Sequence, residues 1–257
     1  MCAAGYRSAI VVGLFCALAS VARADSPVHE KKPVKLLSTV NGTYRMVLEN
    51  QEVGTETFER RTYDNNTVSW DVLTKARMSG ADFVTRSNLV VDEESYFPRS
   101  FRSDKTIVHA TDTLQVGFTV DLFSNVAVLG SEAQGKTGSR RLVVPTGVPV
   151  VELGAVYSWY QILFWTDGKS QNRQRIQWLD PQRGEVETGE IFLTGQQTID
   201  VLGKKTAVSV FKAERERLGP AILYVDSERR LVRCEQNVTV FELVEWTEKT
   251  ESNGAKR

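Results

Sequence analysis

The sequence feature that most constrains the fold is one uninterrupted stretch of large apolar side chains in the middle of the chain. Between Ala155 and Trp165 only Ser158 and Gln161 are polar. A helix made of these residues would be apolar around nearly its whole circumference, so other elements would have to enclose it. The stretch is shorter than the roughly 20 residues that span a bilayer. We therefore expect one principal helix near residues 155–166, lying in the concavity of a curved sheet.

The segments on either side of this stretch alternate apolar and polar residues, which is typical of strands. Tyr44, Met46 and Leu48 alternate with charged or polar neighbours, and Ser79-Gly80 is one of several explicit turns. Beyond the helix, GEVETGEIFLTG and QTIDVLG are two further strand-like segments. Connections this short favour antiparallel pairing, and about a dozen strands are too many for a flat sheet. The predicted fold class is mainly β: a curved antiparallel sheet or incomplete barrel with one principal helix on the concave face.

The chain begins with the pattern of a secretory signal peptide, in which a positive residue precedes an apolar core and a small-x-small cleavage site. These parts are Arg7, the residues from Ala9 to Val21, and Ala22-Arg23-Ala24. Cleavage between Ala24 and Asp25 predicts a periplasmic or secreted protein, with a retained signal anchor as the alternative.

The rest of the chain has a simple expected organisation. Residues 1–24 are the signal peptide and residues 25–39 a polar, proline-punctuated lead-in that we expect to be flexible. Residues 40–246 are long enough for a single β domain with its own core. The polar residues 247–257 are expected to be a disordered tail.

Charge and cysteine usage narrow the function classes. The chain balances 32 basic against 32 acidic residues and has no Lys/Arg block, so the electrostatic footprint of a nucleic-acid binder is missing. Cys2 and Cys16 fall in the predicted signal peptide, which leaves Cys234 alone on an alternating strand. We expect Cys234 to be a buried, inert thiol.

The segment from Gly130 to Thr137, GSEAQGKT, matches the phosphate-loop pattern GxxxxGK[ST] letter for letter. A working phosphate loop must run directly into a helix whose N-terminal amides bind the phosphates. Here Gly138-Ser139 and the strand-like RRLVVP follow instead. We expect a glycine-rich turn and no nucleotide.

Catalytic and metal chemistry has few candidates. His29 lies in the lead-in and His109 is the other histidine of the chain, so a zinc set cannot be built from histidines, and no GxSxG turn accompanies His109. Glu185 and Glu187 would share one face of a strand, most simply a solvated one. We therefore predict no enzyme activity, no catalytic residues, no metal and no cofactor.

Aromatic residues are the remaining signal. Tyr and Trp have polar tips suited to the mouth of a ligand cavity, although packing in the core is the other interpretation. The candidate residues of a hydrophobic cavity are Tyr157, Tyr160, Leu163, Phe164, Trp165 and Trp178.

The order of three segments, TYRMVLENQEVGTETF, VPVVELGAVYSWYQILFW and AILYVDSERRLVRCE, resembles an uncharacterised family of bacterial periplasmic proteins. That family looks like the lipoprotein-carrier superfamily of LolA and LolB. The resemblance covers most of residues 40–245 and implies an incomplete antiparallel barrel with a helix in its concave face. It also implies, by fold analogy alone, that an acyl chain lies between sheet and helix.

Two functions follow as expectations. The first is an exported envelope protein that binds or carries a hydrophobic, lipid-like ligand without catalysis. The second is a structural or protein-interaction module of the envelope, with a fully packed core and an envelope protein as its partner, since open sheet edges invite such partners.

Overall fold

The computed structural model describes residues 34–152, 154–166, 172–216 and 219–251. The predicted signal peptide lies outside the described residues, as do most of the lead-in and residues 252–257 of the predicted tail. No helix in these described ranges combines the length and apolar character that crossing a membrane requires.

The described chain is built almost entirely of strands, arranged in two runs on either side of one short helix. Before the helix come β1 (Leu36–Leu48), β2 (Gln51–Tyr63), β3 (Thr67–Met78), β4 (Ala81–Asp92), β5 (Pro98–His109), β6 (Asp112–Phe123), β7 (Val126–Ala133) and β8 (Lys136–Val143). The helix α1 (Trp159–Trp165) follows. After it come β9 (Gln174–Asp180), β10 (Glu185–Val201), β11 (Lys204–Arg215), β12 (Ala221–Asp226), β13 (Leu231–Gln236) and β14 (Thr239–Thr250).

Tight turns connect most neighbouring strands. Ser79 and Gly80 have φ values of 51° and 78°, and Gln134 and Gly135 have 51° and 76°. Two successive left-handed residues twist a two-residue turn in the sense of the flanking strands, so such turns favour antiparallel hairpins. Each run of strands is accordingly a meander in which neighbours in sequence pair in space.

All the strands of the described chain form one sheet, in the order β8-β7-β6-β5-β4-β3-β2-β1-β14-β13-β12-β11-β10-β9. The two meanders meet where β1 pairs with β14, with Tyr44 opposite Leu243. The sheet does not close into a barrel through a backbone ladder. Its two ends approach each other instead through Arg140 of β8, whose guanidinium donates to the carbonyls of Arg183 and Gly184 in the β9–β10 turn. We call this contact the Arg140 clasp.

The sheet wraps around α1, and the core lies between them. Trp159 and Ile162 of the helix are 1% exposed, and strand residues from both meanders are equally buried against the same core, including Trp70, Phe58, Leu231 and Phe241. The predicted fold class, a mainly β curved antiparallel sheet with one principal helix inside it, is confirmed.

Three boundaries differ from the expectations. The helix begins at Trp159, because residues 154–158 form turns, and it ends at Trp165. β1 begins at Leu36, before the expected start at Val40, because its first residues pair with both β2 and β14. For the same reason β14 extends to Thr250, inside the predicted tail: Thr250 pairs with Ser38.

The segment with the phosphate-loop pattern is a β-hairpin. Gly130 to Ala133 end β7, Gln134 and Gly135 form the turn, and Lys136 begins β8. No helix follows Lys136, so the backbone amides do not converge as a phosphate loop requires. The glycine-rich turn is the structure that the sequence predicts here.

Candidate functional site

A cavity of about 610 Å³ lies between α1 and the inner face of the sheet. Helix, strands of both meanders, and the β4–β5 and β12–β13 turns all contribute to its wall. Its lining residues are Arg60, Val68, Glu93, Tyr96, Tyr160, Leu163, Phe164, Thr166, Ser209, Phe211, Val225, Asp226, Ser227, Glu228 and Arg229.

One face of the helix supplies the central part of this wall. Tyr160, Leu163 and Phe164 are spaced by three and four residues, so their side chains lie on one side of α1. Leu163 is 5% exposed, whereas Phe164 is 39% exposed and stacks on Tyr96 with ring centroids 4.2 Å apart. Phe164 therefore lies where the cavity meets solvent, and Leu163 lies deeper.

The helix is fixed laterally by a pair of tyrosines. The Tyr44 hydroxyl donates to the carbonyl of Leu231 at 2.6 Å, and the Leu231 amide donates to the Tyr160 hydroxyl at 3.1 Å. The two hydroxyls are 2.9 Å apart, and the Tyr160 ring is 4.9 Å from that of Trp70. Burial raises the pKa of Tyr160 to about 12. Tyr160 is thus part of the cavity wall and also ties the helix to β13.

The C-terminal end of the helix is held by Arg229, in the β12–β13 turn. Its guanidinium donates to the carbonyl of Leu163 at 2.7 Å and to that of Thr166 at 3.2 Å. The Leu163 carbonyl also accepts the amide and the hydroxyl of Thr166. Because the last carbonyls of a helix carry partial negative charge, a cation there is favourable. The positive charge of Arg229 is therefore bound to the C-terminal end of the helix.

The turn that precedes the helix is held by a buried carboxylate. Glu56 of β2 accepts the backbone amides of Val156 at 3.0 and 3.1 Å and of Tyr157 at 3.0 Å, and the Thr74 hydroxyl is 3.4 Å away. Glu56 is 0% exposed. This burial raises the pKa of Glu56 to about 7, although the two amides act in the opposite direction.

A second buried carboxylate lies close by. Glu152 accepts the hydroxyls of Ser87 and Ser103 at 2.6 Å each and that of Tyr157 at 2.9 Å. Lys105 pairs with it at 3.1 Å. Tyr157 is therefore enclosed in this polar cluster, where burial raises its pKa well above the usual value, and it does not line the cavity of about 610 Å³.

The six predicted cavity residues are thus divided by the structure. Tyr160, Leu163 and Phe164 line the cavity together, and Tyr157 does not. Trp165 lies on the outer side of the helix end, where its indole donates to the carbonyl of Ser95 at 2.9 Å, and it lines a separate pocket of about 360 Å³ with Ile162. Trp178, on β9, is 1% exposed and lines neither space.

Sequence reasoning missed the strand contribution to the cavity, above all Arg60. Glu56, Phe58 and Arg60 alternate along β2, and the first two are buried. Residues two apart on a strand share a face, so the burial of Phe58 places Arg60 on the inner face as well. This alternation is the sequence signal that Arg60 faces inward, but a charged residue in such a pattern is normally assigned to the solvent-exposed face.

The other residues that the sequence singled out do not line this cavity. Cys234 is buried, and burial raises the pKa of its thiol. His109 is exposed at the end of β5. The solvated face expected for Glu185 and Glu187 is wrong for Glu187, which is 4% exposed and pairs with Arg183 at 3.2 Å. Within the described ranges, no group of three or more His, Cys, Asp or Glu side chains is arranged to hold a metal ion.

Neither a protein-family model nor a curated protein matches the sequence. A solved structure matches the fold: the β-barrel-like protein of domain of unknown function DUF1849 from Brucella abortus superposes with a TM-score of 0.59 at 10% identity. The match covers 83% of this chain and 98% of that chain. At this identity the likeness shows the fold alone, and the resemblance to LolA and LolB stays a prediction. The chain is therefore similar in fold to a β-barrel-like protein, which agrees with the open, curved sheet described above.

Proposed function

We propose that this protein is an exported, non-catalytic binder or carrier of a hydrophobic, lipid-like ligand held between α1 and the sheet. The observation that carries the proposal is the cavity of about 610 Å³. Small-molecule sites have volumes of about 300 to 1,000 Å³ and are mostly apolar with a few polar groups. The space beside the only helix of the described chain is a solvent-open cleft whose volume falls within this range.

Eight of the fifteen lining residues are polar or charged, and the others are apolar or aromatic. Leu163, Phe164, Phe211, Val68 and Val225 form the apolar part, which suits an apolar chain. Each methylene that moves from water into such surroundings contributes about 0.8 kcal/mol. A chain of some ten methylenes would therefore be retained strongly, and an acyl chain is the simplest ligand with that property.

The compartment is part of the same proposal. The signal-peptide pattern before Asp25 would deliver the protein to the cell envelope, where lipids and lipid-modified proteins need a carrier across water. A lipoprotein-carrier function of the LolA and LolB type fits this compartment and the sheet-and-helix fold, but it rests on fold analogy.

The alternative function is a protein-interaction module, and one observation favours it. β8 forms one end of the sheet, no other strand of the described chain pairs with its outer edge, and Val143 on it is 76% exposed. An open edge can accept a partner strand. However, β8 also carries Lys136, Arg140 and Arg141, and positive charge on an edge is a common means of preventing such pairing.

Native mass spectrometry of protein isolated from its own envelope compartment tests the carrier proposal directly. We expect a mass above that of the chain, which organic extraction returns to the apo value, and a rise in Tm when fatty acids or phospholipids are added to the stripped protein. A protein that is isolated only as the apo form and shows no shift with either lipid class would refute the carrier function.

A cavity-filling variant locates the ligand. Ser209→Phe places a ring inside the cavity, whereas Gln197→Phe places the same ring on an exposed position of the neighbouring strand β10. We expect Ser209→Phe to lose the bound lipid and Gln197→Phe to retain it. Equal lipid content in the two variants would place the ligand elsewhere.

A further inference from the structure

Several charged side chains around the cavity are bound to other groups of the protein. Asp226 accepts Arg230 at 2.7 Å and the amides of Glu228 and Arg230, and Glu228 also pairs with Arg230 at 2.9 Å. Arg229 donates to the helix end, as described above. These groups are therefore occupied by the protein itself.

Arg60 is different. It lies on β2 opposite Trp70 of β3, with its guanidinium carbon 5.9 Å from the centroid of the Trp70 ring. Its Nε is buried and has no hydrogen-bond partner among the described residues, and no carboxylate of the described chain lies within ion-pair distance of its guanidinium. A buried donor left without an acceptor costs about 1 to 3 kcal/mol, so the apo protein keeps an arginine in the cavity wall at some expense of stability.

We propose that Arg60 binds the anionic head group of the ligand, so that the cavity selects a single-chain amphiphile with a carboxylate or phosphate rather than a neutral lipid. The inference rests on the carrier function proposed above and makes its ligand more specific. Guanidinium is planar and presents parallel N–H groups that match the oxygens of a carboxylate or phosphate. In this arrangement the apolar chain lies along Leu163, Phe211 and Val225, and the head group binds the terminal nitrogens of Arg60, which form no ion pair with a carboxylate of the described chain.

The Glu93 carboxylate repels an anionic head group in this cavity. It lines the same cavity from the β4–β5 turn, and its carboxylate has no ion pair within the described part of the chain. Glu93 and Arg60 are both partly exposed, so water screens both charges. Arg60 differs in that its guanidinium also offers the anion directed N–H donors.

Three probes of equal chain length test the proposal: decanoate, decyl phosphate and decanol, each titrated calorimetrically into the stripped protein. We expect at least one of the two anions to bind about ten-fold to a hundred-fold more tightly than decanol, the worth of a hydrogen bond to a charged group. Which anion binds more tightly distinguishes a fatty-acid ligand from a phosphate-bearing one.

Variants then assign the preference to Arg60. Arg60→Met should bind decanol as the wild type does and lose the preference for the anions, and Arg60→Lys should retain part of it. Arg102→Met is the matched control, because Arg102 is exposed and pairs with Asp104, and it should keep the full preference. Should Arg60→Met fail to fold, Arg60→Gln against Arg102→Gln gives the same comparison, because Gln also removes the charge.

The outcomes separate the two proposals. If the wild-type protein binds none of the three probes, the carrier function itself fails. Equal affinity for decanol and both anions leaves the carrier function standing and overturns the role of Arg60. An anion preference that persists in Arg60→Met also overturns it.

Discussion

The Glu56 carboxylate accepts the backbone amide of Tyr157 at 3.0 Å, joining two residues that are 101 positions apart in the sequence. The same carboxylate accepts the amide of Val156. These amides belong to the turn that leads into α1, where the backbone has no intrahelical acceptor. One side chain of β2 thus anchors the turn from which the helix starts.

We predict that the burial of the Glu56 carboxyl makes stability depend on pH. The pKa of Glu56 rises from 4.5 in the unfolded chain to about 7 in the fold, so the folded state binds the proton more tightly. Its contribution is present below pH 4.5 and is lost as pH rises through about 7, by up to about 3 kcal/mol. Urea unfolding of Glu56→Gln between pH 5 and 8 should lack this slope. A slope that survives in Glu56→Gln would show that Glu56 is not its source.

A second prediction concerns Glu152, which has a cation and three hydroxyls around it. Glu152→Ala should cost about 3 to 5 kcal/mol of unfolding free energy, because it leaves three buried hydroxyls without their acceptor and removes the partner of Lys105, whose side chain is 21% exposed. The exposed pair Arg102–Asp104 on β5, the strand of Lys105, is the control. Asp104→Ala should cost less than about 1 kcal/mol. Equal losses in chemical denaturation would contradict the prediction.

Most of the sheet could be predicted from the sequence because hairpins are local. Ser79-Gly80 marks a two-residue turn, and Trp70 and Val72 alternate as inner residues of the strand before it. GEVETGEIFLTG and QTIDVLG were predicted as two strands, but they form the single strand β10. A register shift at Leu193/Gly195 lets the ladder with β11 continue past the glycine. A glycine in a strand indicates a bulge as readily as an end.

The pairing of β1 with β14 could not be predicted, since alternation shows that a segment is a strand but not which distant strand it meets. The same reason applies to the site. The aromatic stretch indicated Tyr160, Leu163 and Phe164. The inward position of Glu56 depends on the distant amides of residues 156–157, which its carboxylate accepts, and Arg60 faces inward toward a cavity that only the folded chain forms. A buried carboxylate becomes tolerable only when such donors are in place.

The third prediction separates two roles of the helix face, which are binding of the ligand by Phe164 and attachment of the helix to the sheet by Tyr160. Phe164→Ala should weaken binding of a fatty acid about ten-fold while costing only about 1 to 2 kcal/mol of stability, because Phe164 is 39% exposed. Tyr160→Phe keeps the ring in the cavity wall but deprives the Leu231 amide of its acceptor, so it should cost about 1 to 3 kcal/mol and retain binding. Calorimetric titration and urea unfolding of both variants measure this. If the two variants lose affinity equally, Phe164 has no special place at the cavity mouth.

The last prediction concerns the Arg140 clasp, which joins the two ends of the open sheet. Gly184 has φ 62°, and a Cβ there would collide with the Arg140 guanidinium, whereas Gly203 has φ 75° and open space around it. Gly203→Ala should cost about 1 to 2 kcal/mol for the left-handed backbone alone. Gly184→Ala should cost more, because it also displaces Arg140 from the carbonyls that it binds.

A double-mutant cycle isolates the loss that comes from displacing Arg140. In an Arg140→Ala background, Gly184→Ala should cost no more than Gly203→Ala does in the wild type, which corresponds to a coupling of about 0.5 to 3 kcal/mol between positions 140 and 184. Urea unfolding of the two single variants and the double variant gives this coupling. Strict additivity would mean that the guanidinium is not bound to the β9–β10 turn in solution. The two ends of the sheet would then be joined by the shared core and by the backbone hydrogen bonds between residues 149–151 and Leu179 of β9.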